Sequence, residues 1–295
     1  MDSKPPLYVV FTMDCEPVAT KAVRNGPKNW EQSVRSIEGF SYRLLAAGYP
    51  PTLFVSPRAA DEHAPLFDEL VENGVELGAH IHPPMLSTDL KRPLGEYHER
   101  DQRTIIGDAA RRIERSTGVI PRSFRPGKYS ASDETYRIAF ELGFRQGSVS
   151  QPGRDAKGDA AVWTGTHTDP HYVHPEDRLV EGNMPFLEVP VTTDAQSRYR
   201  RGLLYDLSLD QGYWHEWHQP LIEAQLQRMD TAEVRFRSLC IPTRNQYGYH
   251  LDDSVQTTTL NALLEYLEGL RETNDVVPTT LEGAHAHYRK RSLVS

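Results

Sequence analysis

Short runs of β-branched, aromatic and aliphatic residues recur along the chain, each closed by polar or turn-forming positions. Leu7 to Met13 is the first, followed by Thr52 to Ser56, Val75 to Ala79 and Ser123 to Arg125. Arg145 to Ser150, Phe186 to Val191, Ser238 to Ile241 and Val276 to Thr280 complete the set. Their length and composition predict strands. Between them the apolar spacing changes to that of a helix face. Trp30 to Ala47 carries Val34, Ile37, Phe40, Leu44 and Leu45 and stops at Gly48. Pro65 to Asn73 stops at Gly74, Glu99 to Ser116 at Gly118, and Ser132 to Leu142 at Gly143. Thr257 to Arg271 places Leu260, Leu263, Leu264, Leu267 and Leu270 on one face. Helices ending at glycine are the expected pattern.

Strands alternating with helices predict βα units and a mainly parallel sheet. About eight such runs in 295 residues predict a distorted (β/α) barrel of seven or eight parallel strands. No repeat, low-complexity tract or linker interrupts the pattern, so residues 1–295 read as a single domain.

Charge and cysteine usage narrow the function. With 33 Lys+Arg against 41 Asp+Glu, the net charge of −8 argues against a nucleic-acid partner or an anionic membrane. Two cysteines, Cys15 and Cys240, cannot form a disulfide framework and suit a reducing compartment. The apolar run Leu7 to Phe11 is too short for a signal peptide, which needs about 7–15 such residues, or for a membrane helix. A cytoplasmic location is the expectation. The C-terminal Tyr288-Arg-Lys-Arg291 reads as a solvated tail.

In parallel barrels the chemistry gathers where strands end, so the residues after each run matter most. Asp14-Cys15-Glu16 follows the first run. Period-2 alternation puts both carboxylates on one side, where one suits a cation and the other a base. Alone, the pair also fits an exposed acidic strand end. His80-Ile81-His82-Pro83 follows the third run. Its two imidazoles lie about 7 Å apart along a strand and can reach one metal ion. Arg125-Pro126-Gly127-Lys128-Tyr129 follows the fourth, with an arginine suited to a forked carboxylate pair and a sharp turn behind it. Together these describe a mononuclear metal hydrolase. Two histidines and a carboxylate also match the facial triad of a non-haem iron enzyme. The additional acid and the separate strands weigh toward hydrolysis.

These segments resemble the polysaccharide deacetylase family. Phe11-Thr-Met-Asp-Cys-Glu16 is similar to its first motif, Glu76-Leu-Gly-Ala-His-Ile-His-Pro83 to a His-x-His-Pro form of its histidine motif, and Ser123-Phe-Arg-Pro-Gly127 to its arginine motif. Gly147 to Gly153 and Leu187 to Thr192 are similar to further segments of that branch. The resemblance implies a deacetylase-type barrel and hydrolysis of an acyl group, usually N-acetyl on an amino sugar, with one divalent metal ion, zinc in type. It implies Asp14 as base, Arg125 as its partner, and Glu16, His80 and His82 as metal ligands. A small acylated sugar or related amide is the expected substrate, with Tyr129 and His174 as candidate substrate contacts.

One feature departs from the family's pattern. A histidine usually follows a late strand as general acid, but here Ser238 to Ile241 leads into Pro242-Thr-Arg-Asn-Gln246. His171, His174, His215 and His218 are possible substitutes, each better explained as an exposed loop residue. The departure keeps a second reading open, a catalytically degenerate binding protein.

Overall fold

The computed structural model describes residues 4–20, 26–198 and 204–292. Its first half repeats strand and helix: β1 (Leu7–Cys15), α1 (Trp30–Ala46), β2 (Thr52–Val55), α2 (Pro57–Glu72), β3 (Glu76–Ile81), the single turn α3 (Pro83–Leu86), α4 (Glu99–Thr117), β4 (Ser123–Pro126), α5 (Thr135–Glu141) and β5 (Gln146–Gly147). The caps explain where the helices start. Asn29 accepts from the Gln32 amide and Ser56 from the Ala59 amide, each satisfying an orphan donor of the first turn. Gly118 closes α4 in the left-handed region at φ 70°, where a Cβ would be strained.

The second half is less regular. Two small hairpins, β6 (Asp155–Ala156) with β7 (Ala161–Val162) and, further on, β10 (Thr193–Arg198) with β11 (Leu204–Asp206), flank β8 (His171–Val173) and β9 (Met184–Glu188). Then come α6 (Gln219–Thr231), β12 (Arg237–Arg244), α7 (Val255–Leu270), β13 (Val276–Pro278) and α8 (Leu281–Ser292).

The main sheet runs β12-β1-β2-β3-β4-β5-β9-β8, parallel throughout except for the antiparallel β8. β12 pairs along one edge of β1, while β13 and β2 share the other edge, at Leu7–Val9 and Thr12–Cys15 respectively. The sheet curls far enough that the segment after β9 reaches β12: the Thr192 amide donates to the Cys240 carbonyl, and the Cys240 amide to Thr192 Oγ1. This is the expected distorted (β/α) barrel. Alternation along β1 divides the interior. Leu7, Val9, Phe11, Met13 and Cys15 join the large core that includes the helix residues Ile37, Phe40 and Leu44. Tyr8 and Val10 join Phe54, Leu187, Val189 and Cys240 inside the curl. Thr12, Asp14 and Glu16 continue that inward register.

Several expectations are corrected. The helix expected from Pro65 starts at Pro57, and the chain passes through Pro65 by kinking at His63, because proline offers no amide to the preceding turn. α6 and α8 escape the sequence because their exposed positions are strongly polar. The hairpins escape because strands of a few residues carry no period. Tyr288 is no solvated tail: it lies in α8, its ring 5.0 Å from Tyr172 and 5.2 Å from Phe236. Among the described residues no helix is long and apolar enough to cross a membrane.

Candidate active site

The inward register of β1 brings Asp14 and Glu16 to the C-terminal rim of the curl, where both line one cavity of about 330 Å³. Asn245, fully buried just past β12, fixes this strand end. Its Oδ1 accepts the Glu16 amide at 3.0 Å, and its Nδ2 donates to the Glu16 carbonyl at 2.9 Å. A side-chain amide thus takes the place of a neighbouring strand where pairing stops.

His80, at the end of β3, is buried between the two carboxylates. Its Nδ1 stands 3.9 Å from Asp14 Oδ1 and its Nε2 3.6 Å from Glu16 Oε1, both beyond hydrogen-bond reach. Burial alone would lower its pKa, but the negative charges of Asp14 and Glu16 outweigh that and raise it. His82 lines the cavity, its ring stacked over Gly127 so closely that a Cβ there would overlap it. Burial, reinforced by the neighbouring His80, pushes the His82 pKa down to about 4.

Arg125 is fully buried and reaches across the barrel from β4 to β1. Its Nη1 donates to Asp14 Oδ1 and to Thr12 Oγ1, both at 2.9 Å, and its Nε to the Ser148 carbonyl at 3.0 Å. The Phe54 ring packs against the guanidinium at 4.3 Å. The expected forked pair is therefore corrected: Nη1 alone serves Asp14 and Thr12, Nε holds the barrel wall at Ser148, and Nη2 is buried with no hydrogen-bond partner among the described residues. The reason is topological. β2 and β3 lie between β1 and β4, so the contact runs across the interior and not between adjacent strand ends.

Tyr129 also lines the cavity. His174 does not: it lies beside β8, its Nδ1 accepting from the Glu176 amide. None of the other substitutes reaches the cavity. His171 and His218 are buried, not exposed, and bonded to backbone carbonyls; His215 is exposed. Residues that sequence reasoning missed complete the wall: Lys128, Gln151, Arg154, Asp159, Asp206, Asp210 and Arg244. Asp206 accepts from Gln151 Nε2 at 2.6 Å, and burial pushes its pKa up to about 7 against the Ser208 amide. Asp210 pairs with Arg244, the last residue of β12, in the segment where the late histidine was sought.

A divalent ion, implied by the motifs, can be tested against these donors. Glu16 Oε2, both ring nitrogens of His80 and His82 Nδ1 are buried and have no hydrogen-bond partner among the described residues. Buried polar atoms are rarely left so, and a cation would satisfy Glu16 Oε2, His82 Nδ1 and one ring nitrogen of His80, whose other nitrogen keeps its proton. Their chemistry fits such an ion, although no three His, Cys, Asp or Glu side chains among the described residues already stand grouped as a metal site.

The polysaccharide deacetylase family model matches residues 41–147, taking in His80, His82 and Arg125. In fold, the chain matches a protein from Mycobacterium smegmatis assigned as a polysaccharide deacetylase (TM-score 0.63, 17% identity, 99% of this chain and 93% of that one). It also matches one so assigned from Pseudomonas aeruginosa PAO1 (0.60, 15%, 96% and 91%). A third match is the Puue allantoinase (0.59, 17%, 98% and 92%). At these identities the likeness is one of fold. No curated protein matches the chain. The resemblance read from the motifs holds.

Proposed function

The chain being of the polysaccharide deacetylase kind in its 41–147 segment and in its fold, we propose that it is a hydrolase removing an acyl group, N-acetyl in the first instance, from a carbohydrate or related small amide. The observation that carries this reading is the buried cluster of Asp14, Glu16 and His80, short of hydrogen bonds and opening with His82 into a cavity. We take residues 1–295 as one catalytic domain. Glu16, His80 and His82 would hold a divalent ion, zinc in our reading. When bound, such an ion polarises the acyl carbonyl and makes water a better nucleophile.

The chain's own residues do the rest. Asp14 takes the proton of the attacking water at Oδ2, since Oδ1 is held by Arg125. Arg125 favours the ionised carboxylate and fixes its direction. Tyr129 shapes the wall beside the acyl group. Acetate release from N-acetyl sugars and small N-acetyl amides, with metal content measured on the same sample, tests the reading. Turnover should vanish in Asp14→Asn and after chelation. Turnover unaffected by both overturns it.

A second reading rests on Arg244 standing where a general acid was sought. If the cleft only binds, ligands bind Asp14→Asn as tightly as the parent and no acylated compound is turned over.

A further inference from the structure

The cavity wall facing the strand ends carries its own charge logic. Lys128 Nζ lies 2.7 Å from Asp159 Oδ1, and Arg154 Nη2 lies 3.3 Å from Asp159 Oδ2. Two cations share one carboxylate here, and the next carboxylate, Asp206, also feels the Arg154 charge. Arg154 also has a buried Nε with no hydrogen-bond partner among the described residues. Its Nη1 donates to Gln151 Oε1 at 2.9 Å, and Gln151 in turn holds Asp206, which keeps that second carboxylate one side chain away.

The corner is also built rigidly. Lys128 and Tyr129 both sit in the left-handed region, at φ 59° and 60°, a strained choice for side chains with a Cβ. The fully buried Trp163 holds them there: its Nε1 donates to the Tyr129 carbonyl, and its backbone amide to the Arg154 carbonyl, both at 2.8 Å. One residue thus ties the Lys128–Tyr129 turn to the start of the β6–β7 hairpin. The Tyr129 ring lies 5.7 Å from the Arg154 guanidinium, which keeps that cation against the wall.

We infer that Lys128 and Arg154 form an anion subsite, and that the substrate is a small N-acyl compound carrying a carboxylate. The inference rests on the hydrolase reading above. A cavity of about 330 Å³ admits a small molecule. Among the described residues Tyr129 is the one Phe, Tyr or Trp side chain lining it, which offers a single ring for stacking. A partly buried guanidinium and an exposed ammonium on one wall match a planar carboxylate. Asp159 balances the two cations and cedes them to the ligand.

Two probes that differ only in charge test this: N-acetylglycine and N-acetylglycinamide, compared by calorimetry and by acetate release. The parent should bind the carboxylate at least tenfold more tightly than the carboxamide. Arg154→Gln should erase that preference and Lys128→Gln reduce it. Asp159→Asn frees both cations and should strengthen carboxylate binding several-fold, a gain that a misfolded variant does not give. Equal binding of the two probes, binding of neither, or a preference indifferent to all three substitutions overturns the subsite. A preference without turnover supports the subsite and counts against the hydrolase reading.

Discussion

The two ends of the barrel each bury a cluster of polar side chains, and the clusters differ in one respect. At the N-terminal ends of the strands, Glu76 accepts from Ser123 Oγ, from Thr52 Oγ1 at 2.8 Å and from the Glu282 amide at 3.0 Å. Gln146 donates to Ser123 at 2.9 Å and contacts His285 Nδ1 at 3.0 Å. Every one of these carboxylate and amide oxygens has its partner, and the network ties α8 to the sheet. At the C-terminal ends, Glu16, His80 and His82 keep atoms without hydrogen bonds, and His80 stands just out of reach of both acids. A satisfied buried cluster costs little to keep and holds the fold. An unsatisfied one is a standing cost that packing elsewhere must offset, and such costs gather where a ligand is to be met.

The same substitution made at both ends should separate them. Glu16→Gln keeps the shape but removes the charge, and should slow turnover at least a hundredfold, roughly 3 kcal/mol of barrier, with an unchanged denaturation midpoint. A large loss of stability would show that Glu16 belongs with the structural kind.

Glu188 sharpens the comparison, because it lies at the C-terminal end of β9 yet is fully satisfied. Its carboxylate accepts from the Val149 and Ser150 amides and from Ser150 Oγ. Burial pushes its pKa up to about 7, with the Ser150 and Val149 bonds pulling the other way. A folded pKa above the unfolded value of about 4.5 means that the native state binds the extra proton between those limits. Its contribution to stability is complete below about pH 4.5 and is lost as pH rises towards 7, to the order of 3 kcal/mol. Urea midpoints of the parent should fall across that window relative to those of Glu188→Gln. Parallel pH profiles would mean that Glu188 does not titrate there.

Glu76→Gln is the mirror of the first test. It turns an acceptor into a donor facing Thr52, Ser123 or the Glu282 amide, and should cost about 1–3 kcal/mol of unfolding free energy while kcat stays put. A fall in kcat without loss of stability would break the comparison between the two ends.

The smallest effect concerns packing at the site. A Cβ at residue 127 overlaps the His82 ring, so Gly127→Ala should displace that ring, at about 1–3 kcal/mol. The His82 ring resonances in an NMR titration report the displacement. An unmoved His82 would mean that the turn yields instead.

Asp14, Glu16, His80, His82 and Arg125 were legible because each follows a strand run, and alternation along a strand fixes the face a side chain takes. The opposite wall was not. Arg154 precedes β6 and Asp159 lies in the turn between β6 and β7, strands of two residues each, while Asp206 ends the three-residue β11 and Asp210 follows it, none with a period to read. Asn245 looked like a loop residue, because its role depends on β1 ending beside it. His174 was a candidate by spacing alone, and the fold leaves it outside the cavity.

What the sequence determined by itself was local: which runs extend, which coil, and which side chains share a strand face. Those follow from periods of 2 and 3.6, which need only neighbours along the chain. The tertiary structure decided the rest. Arg125 meets Asp14 through one nitrogen because the curl of the sheet sets the distance across the barrel. Two cations share Asp159 because Trp163 ties the turn after β4 to the β6–β7 hairpin. Such contacts join residues far apart in sequence, and only the curled sheet sets their geometry.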